Sequence, residues 1–276
     1  MKGSLVFVCA MFLSGCLVEE KFIFFPVAEI ERTPKSVGLV FDDVFFTTAD
    51  GVRLNGWFAP YAGARTTLLW FHGNAGNISH RVDGMKLLHD KVKADVFIVD
   101  YRGYGRSEGT VSEKGTYEDA RAALRYLRTR KDLDPKNIAF FGQSLGAAVA
   151  TELAAGENCL ALILEAPFVS IREMARVVFP FLPIGPLLRT RYDVAEKIKE
   201  VKAPILVLQG DRDDVIPVEQ GKKVFAAAPS PKEFFAIRGA GHNDTFHVGG
   251  TAYFDVIKSF IDRAAAGQLK PAVSTD

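Results

Sequence analysis

Two stretches of the 276-residue chain set a serine between glycines: Gly105-Arg106-Ser107-Glu108-Gly109 and Gly142-Gln143-Ser144-Leu145-Gly146. A serine hydroxyl is a weak nucleophile at neutral pH, so the motif does chemistry only where a sharp turn exposes the side chain and a base can reach it. That turn joins a buried strand directly to a helix, and crowding there favours glycine on both sides. Ser144 meets the condition: an apolar β-like run precedes it, and the small residues Gly146-Ala147-Ala148-Val149-Ala150 follow it as a helix start. Ser107 lies between the loop Asp100-Tyr101-Arg102-Gly103-Tyr104 and another loop reaching Gly115, and has neither neighbour. Ser144 is the candidate nucleophile for acyl transfer.

The base for that hydroxyl needs a pKa near the working pH, which selects histidine. His242 stands in Gly239-Ala240-Gly241-His242-Asn243-Asp244, a glycine-rich loop just after the last β-like run, where an imidazole can swing over the sheet edge. His80, His89 and His247 lack such a setting and read as packed or solvated side chains. A carboxylate should then fix the tautomer of His242 and stabilise its cation. The stretch Gly210-Asp211-Arg212-Asp213-Asp214-Val215-Ile216-Pro217 offers three aspartates, and their residue types alone do not choose among them.

The elements that must hold these groups alternate. The spacing predicts a hairpin from strands 44–48 and 52–58 around Asp50-Gly51, a turn dipeptide because glycine tolerates positive φ. Strands 67–71, 96–100, 137–142, 161–165, 205–210 and 233–237 follow, rich in β-branched, leucine or aromatic residues, and are expected as buried central strands. Helices are expected over 78–93, 116–130, 145–155, 218–228 and 251–266. This is an α/β domain over 41–266, mostly parallel, with an antiparallel hairpin at its start and helices on both faces. Residues 168–199 break the alternation with three prolines, Pro180, Pro183 and Pro186, which forbid a continuous helix. An excursion of that length over the sheet end is expected as a short lid. Residues 267–276 read as a disordered tail.

Charge is balanced, 34 basic against 33 acidic side chains, so no basic excess is present to bind phosphate backbones and nucleic acid is excluded as a partner. Cys9, Cys16 and Cys159 form neither a disulfide framework nor a metal motif with the five histidines, and no metal is expected. The N-terminus has the form of an export signal, with Lys2 and then an apolar run over 5–13. Leu13-Ser14-Gly15-Cys16 resembles the lipobox of bacterial lipoproteins. That resemblance implies cleavage after residue 15, lipidation of Cys16, and a periplasmic domain anchored in the cell envelope, with Leu17 favouring the outer membrane. Two or more acyl chains anchor stably where one binds marginally. Residues 16–40 are too apolar for a free linker and should pack on the domain as a membrane-proximal segment. Cys159 is then the one free thiol, expected as a small buried hydrophobe.

The whole chain resembles the α/β-hydrolase superfamily, in which the order is serine, acid, histidine and the acid commonly sits in a Gly-x-x-Asp loop with a nearby proline. Counted from Gly210, the resemblance places the acid at Asp213. It also implies an oxyanion hole from the backbone N–H of Leu145 and of a residue in His72-Gly73-Asn74-Ala75-Gly76-Asn77, where the His-Gly-Asn form points to Asn74 and leaves His72 structural. Those motifs, with Asp100 to Gly109, Asp213-Asp214-Val215-Ile216-Pro217 and Gly241-His242-Asn243-Asp244, look like the branch of the eukaryotic depalmitoylating acyl-protein thioesterases and their bacterial relatives. The match runs over about 25–265. The cysteine-rich N-terminus of the eukaryotic members is absent, so protein depalmitoylation does not carry over.

The resemblance implies a serine esterase or thioesterase working through an acyl-enzyme without a cofactor, on a small-molecule or acylated substrate. The apolar residues 177–188 would line an acyl pocket, touch the bilayer, or simply pack as a lid. A peptidase or amidase using the same residues is the alternative, with Glu165 as anchor for a free amine; a non-catalytic envelope lipoprotein is the other. Ser144 excludes haloalkane and epoxide hydrolysis, which on this fold need aspartate as nucleophile.

Overall fold

The computed structural model describes residues 19–21, 23–181 and 185–269. Cys16 and the expected export signal lie outside the described residues, as do 182–184 of the expected lid and 270–276 of the expected tail.

Eight strands form one sheet: β1 (Asp42–Thr47), β2 (Arg53–Ala59), β3 (Thr67–Phe71), β4 (Asp95–Val99), β5 (Ile138–Gln143), β6 (Leu162–Glu165), β7 (Ile205–Gly210) and β8 (Lys232–Ile237). Their order is β1-β2-β4-β3-β5-β6-β7-β8. β2 runs antiparallel to β1 and β4, and every other pairing is parallel. The hairpin closes where expected, with Gly51 at φ 86° donating to the Thr48 carbonyl. β3, β4, β6 and β7 are buried along their whole length, as strands covered on both faces must be. β8 corrects the expectation of a central strand: it is the sheet edge, pairs only with β7, and is half-buried.

Helices α1 (Val82–Leu87), α2 (Glu113–Thr129), α3 (Leu145–Gly156), α4 (Ile171–Val178), α5 (Val194–Lys197), α6 (Val218–Ala227) and α7 (Thr245–Ala265) cover the two faces. Alternation along β3 divides the core. Leu69 and Phe71 join the α2 and α3 side, while Leu68 and Trp70 join the α1 and α7 side. Each such buried leucine or phenylalanine contributes about 1.5–3 kcal/mol.

One expected helix is broken, and another gains an extra turn at its start. The stretch expected over 78–93 is a 3-10 turn (Ile78–Arg81), then α1, then a wider turn (Leu88–Val92) that stops at Lys93 with φ 62°. Gly84 sits in α1 because a Cβ there would lie 3.1 Å from the Trp70 ring. The last helix begins at Thr245, six residues before the expected start, and bends at Gly250, whose φ of 52° interrupts it.

The segment expected as a lid starts with α4, capped by the Ser170 hydroxyl on the Glu173 N–H, and α4 ends two residues before Pro180. Its return is pinned by the Glu113 carboxylate, which accepts the N–H groups of Arg191 and Tyr192. The segment before β1 packs on the domain: Phe24 is in the core, and Pro26 bridges in parallel to Gly76. At the other end Gln268 donates to the Arg263 carbonyl and Leu269 packs on the core. Cys159 packs against the α2 and α3 side of the core, and burial pushes its thiol up to about 12.

Candidate active site

β5 runs straight into Ser144, which adopts φ 53°, ψ −116° before α3 begins at the next residue. A non-glycine residue held there is strained, and its neighbours fix it. The Ser144 N–H donates to the Glu165 carbonyl at 2.8 Å, and its own carbonyl accepts from Ala147. The flanking glycines follow from close approach. A Cβ on Gly142 would lie 2.3 Å from the Gly146 carbonyl oxygen, and one on Gly146 would lie 2.0 Å from that of Phe71.

Ser144 Oγ stands 3.2 Å from His242 Nε2, and His242 Nδ1 stands 2.8 Å from Asp213 Oδ2. The Asp213 side chain is fully buried, while that of His242 keeps 12% of its surface exposed. Three donors hold the carboxylate: the N–H groups of Val215 and Ile216 on Oδ1, and Gln209 Nε2 on Oδ2. The remaining aspartates of that loop have other fates. Asp211 accepts the Gly239 N–H and so ties the β7 loop to the His242 loop, while Asp214 is exposed. Ser107 lies elsewhere, with its hydroxyl joining the Asn55 N–H to the Asp100 carbonyl.

The backbone N–H groups of Leu145 and Asn74 donate to no acceptor among the described residues, and both residues line the same cavity as Ser144 and His242. The N–H of Leu145 also opens α3, where the helix dipole favours negative charge. The Asn74 side chain is committed to structure. Its amide nitrogen donates to the Ile23 carbonyl, while its oxygen accepts from Tyr104 Oη and from the N–H groups of Phe25 and Ala75. His72 is fully buried with Nδ1 2.7 Å from the Gly73 carbonyl, a structural placement. His80 and His247 line the cavity without bonding to Ser144, and His89 bonds Asp90 and the Pro60 carbonyl.

Glu165 also lines this cavity, but the chain itself occupies its carboxylate. Gln143 Nε2, Thr245 Oγ1 and Tyr253 Oη all donate to it. Burial, then the adjacent Glu165, holds the Tyr253 hydroxyl far above its ordinary pKa, so it remains a donor. An amine would have to displace these donors, which weakens the reading of Glu165 as an amine anchor.

Arg81 was not singled out by its sequence setting. It lines the cavity, donates to the carbonyls of Asn74 and Ala75, and keeps a buried Nε without a partner among the described residues. Burial lowers its pKa, opposed by the fields of Tyr101, Asp100 and Glu165. It thereby braces the loop that carries the Asn74 N–H. The only local hint is Asn77, whose side chain caps the turn that places Arg81 beside that loop.

The cavity encloses about 1080 Å³. Its walls are chiefly apolar: Ile23, Phe168, Ile171 and Met174 on the lid side, Trp70 and Phe254 on the other. That is just above the usual range for small-molecule pockets, about 300–1,000 Å³. A hydroxyl, a base, an orienting carboxylate and two unpaired N–H donors at the mouth of an apolar cavity are the parts an acyl transfer needs.

Comparison with known proteins agrees with this fold. The alpha/beta hydrolase fold family matches residues 66–185. An uncharacterized protein of Mycobacterium tuberculosis is 39% identical over 267 residues, 94% of this chain and 95% of the relative. The alpha/beta hydrolase domain-containing protein WAV2 of Arabidopsis thaliana is 35% identical over 277 residues, 91% and 90% of the two chains. Among solved structures, the Pyrococcus furiosus esterase Pf2001 shares the fold with a TM-score of 0.73 at 22% identity, over 87% of this chain and 98% of that one. Relatives this similar over nearly their whole length, with the sheet order and the serine turn found here, show that the chain belongs to the alpha/beta hydrolase fold family.

Proposed function

We propose that the protein is a serine hydrolase that cleaves carboxylic esters or thioesters through an acyl-enzyme. The observation that carries this reading is the hydrogen-bonded line from Ser144 through His242 to Asp213 at the mouth of an apolar cavity. Ser144 Oγ attacks the carbonyl carbon as His242 Nε2 takes its proton, and Asp213 stabilises the imidazolium that forms. The negative charge on the carbonyl oxygen falls to the N–H groups of Leu145 and Asn74, each such donor being worth about 3–4 kcal/mol of transition-state stabilisation. The bond to the leaving alkoxide or thiolate breaks, and His242 returns the proton to it. Water then attacks the acyl-serine as His242 Nε2 takes its proton, the bond from the acyl carbon to Ser144 Oγ breaks as His242 returns that proton to Oγ, and the free acid departs.

An apolar cavity of this size favours a substrate with a sizeable acyl group over a peptide with charged ends. The amidase reading is weaker because Glu165 already accepts three hydrogen bonds. The lipobox-like Leu13-Ser14-Gly15-Cys16 supports a lipid-anchored envelope protein whose substrates are acylated or membrane-derived.

The test is the initial hydrolysis rate of the full chain against p-nitrophenyl esters from acetyl to palmitoyl, with Ser144→Ala as the blank. A rate that rises with acyl length and vanishes in the variant is expected. A maximum at acetyl or butyryl would reduce the lid to packing, and no Ser144-dependent turnover would leave a non-catalytic lipoprotein.

A further inference from the structure

Ten large apolar side chains are exposed among the described residues, and their distribution is uneven. Phe25, Val178, Phe179 and Val215 are exposed while also lining the cavity, so they form its rim. Phe181 and Leu187, 93% and 74% exposed, stand on the same lid. Exposed apolar surface gathered around one opening marks an interaction site, whereas scattered apolar residues would need no explanation. The lid also exposes Arg191, and Arg176 in an exposed pair with Glu173, cations suited to anionic headgroups.

The course of the chain identifies what covers the rim. Glu19 lines the cavity, and its carboxylate accepts the N–H groups of Arg189 at 3.1 Å and Thr190 at 2.8 Å. The chain therefore arrives on the lid itself. Directly before Glu19 stands an uncharged stretch, residues 3–18, that includes the apolar run and Cys16. Two residues, Leu17 and Val18, separate Cys16 from Glu19, and an extended chain covers only about 3.3–3.6 Å per residue. Whether a lipidated Cys16 or the apolar stretch itself enters the bilayer, Glu19 and the Arg189-Thr190 backbone that it binds are held within about 10 Å of Cys16. No linker is long enough to let the domain turn away.

We propose that the lid rim docks into the surface of an anionic lipid bilayer, so that the cavity opens toward the acyl chains rather than toward water. This extends the acyl-hydrolase reading by naming where its substrate comes from. Phe181 and Leu187 enter the headgroup boundary, the lid arginines meet lipid phosphates, and an acyl chain passes into the cavity without crossing water. The apolar rim and the N-terminal anchor act together, as stable membrane attachment requires more than one weak signal.

Tryptophan quenching by brominated lipids tests the docking without any need for turnover. Native Trp57 and Trp70 are buried, so a new tryptophan at the rim reports above a background measured in the parent. Full-length Phe181→Trp is placed in phosphatidylcholine–phosphatidylglycerol vesicles with and without brominated acyl chains. Val40→Trp is the control: it lies two residues before Asp42, which is opposite Phe58 and, through it, Phe97 in the middle of β4, so Val40 falls toward the start of β4, the end of the sheet away from Ser144. The expected result is emission at shorter wavelength for Phe181→Trp and its loss on brominated lipid, with neither at Val40→Trp. Equal quenching at both positions overturns the docking. A blue shift without quenching also overturns it, since the rim is then covered by protein, a second copy included.

The double variant Phe181→Ser, Leu187→Ser adds a functional readout. Its turnover of a long-chain ester held in vesicles is expected to fall about tenfold while that of a dissolved butyryl ester is unchanged. An equal fall on both substrates overturns the proposal, because the rim then serves the site and not the bilayer. If the parent turns over neither ester, the hydrolase reading fails while the bromine result still decides the docking.

Discussion

The chain contains the same five-residue pattern twice, and the two copies have opposite fates. Ser107 is buried, and its hydroxyl is used up at both ends, accepting from the Asn55 N–H and donating to the Asp100 carbonyl. It stitches the loop after β4 onto β2. Ser144 has its backbone bonded but its hydroxyl turned to an imidazole at the edge of a cavity. Both motifs use their glycines for room, yet for different reasons. Gly105 and Gly109 take positive φ in a loop, and a Cβ on Gly105 would also meet the Asp100 carboxylate at 2.0 Å, whereas Gly142 and Gly146 carry no Cβ because a strand end and a helix start come within contact of one another. The lesson is that glycine-serine-glycine spacing reports backbone crowding, and what lies before and after it decides whether crowding exposes a nucleophile or closes a loop.

Substitutions separate the two copies. Ser144→Ala should lower ester turnover about 10⁴- to 10⁶-fold with an unchanged melting temperature, and Asp213→Asn about 10⁴-fold, because an amide favours the wrong tautomer of His242. Equal activity in Ser144→Ala and the parent would dissolve the distinction. Next comes Gly146→Ala, whose Cβ would meet the Phe71 carbonyl at 2.0 Å; the denaturant midpoint should drop by the equivalent of about 2–4 kcal/mol. At Gly109 the nearest atom to a Cβ is a Val52 methyl at 3.2 Å, so the same change there should cost only the positive-φ strain, about 1–2 kcal/mol. Ser107→Ala, which orphans two buried backbone groups, should cost as little as the Gly109 change: about 1–2 kcal/mol in denaturant unfolding, with turnover per folded molecule intact. A large activity loss there would show that the two copies are coupled.

Local context made Ser144 and His242 legible, since the strand, the glycines and the small-residue helix stand within a few positions of each. Asp213 was readable only through the family order. Three aspartates within four residues look alike until Val215, Ile216 and Gln209 single one out by donating to it. Glu165 was half legible: its place at a strand end near the site is right, but its partners Thr245 and Tyr253 are 80 and 88 positions away, and no local pattern foretells them. Arg81 escaped notice for a different reason: Asn74 and Ala75 are close in sequence, but it bonds to their backbone carbonyls, which no residue type marks. The strands were readable from apolar runs, but not which one would be the edge. A run such as Phe234-Phe235-Ala236-Ile237 reads the same whether one neighbour or two lie beside it.

The segment 23–31 carries a consequence for how this chain can be handled. Ile23 and Phe25 grip the Asn74 side chain, Val27 accepts from Gly105, and Asn77 reaches back to the carbonyls of Val27 and Glu29. The strap is thus wired in series with the loop that presents the Asn74 N–H. Trimming the chain at residue 41, where the strands begin, would spare Ser144, Asp213 and His242 yet let that loop go slack, and a pull on the amino terminus would tug at the same place.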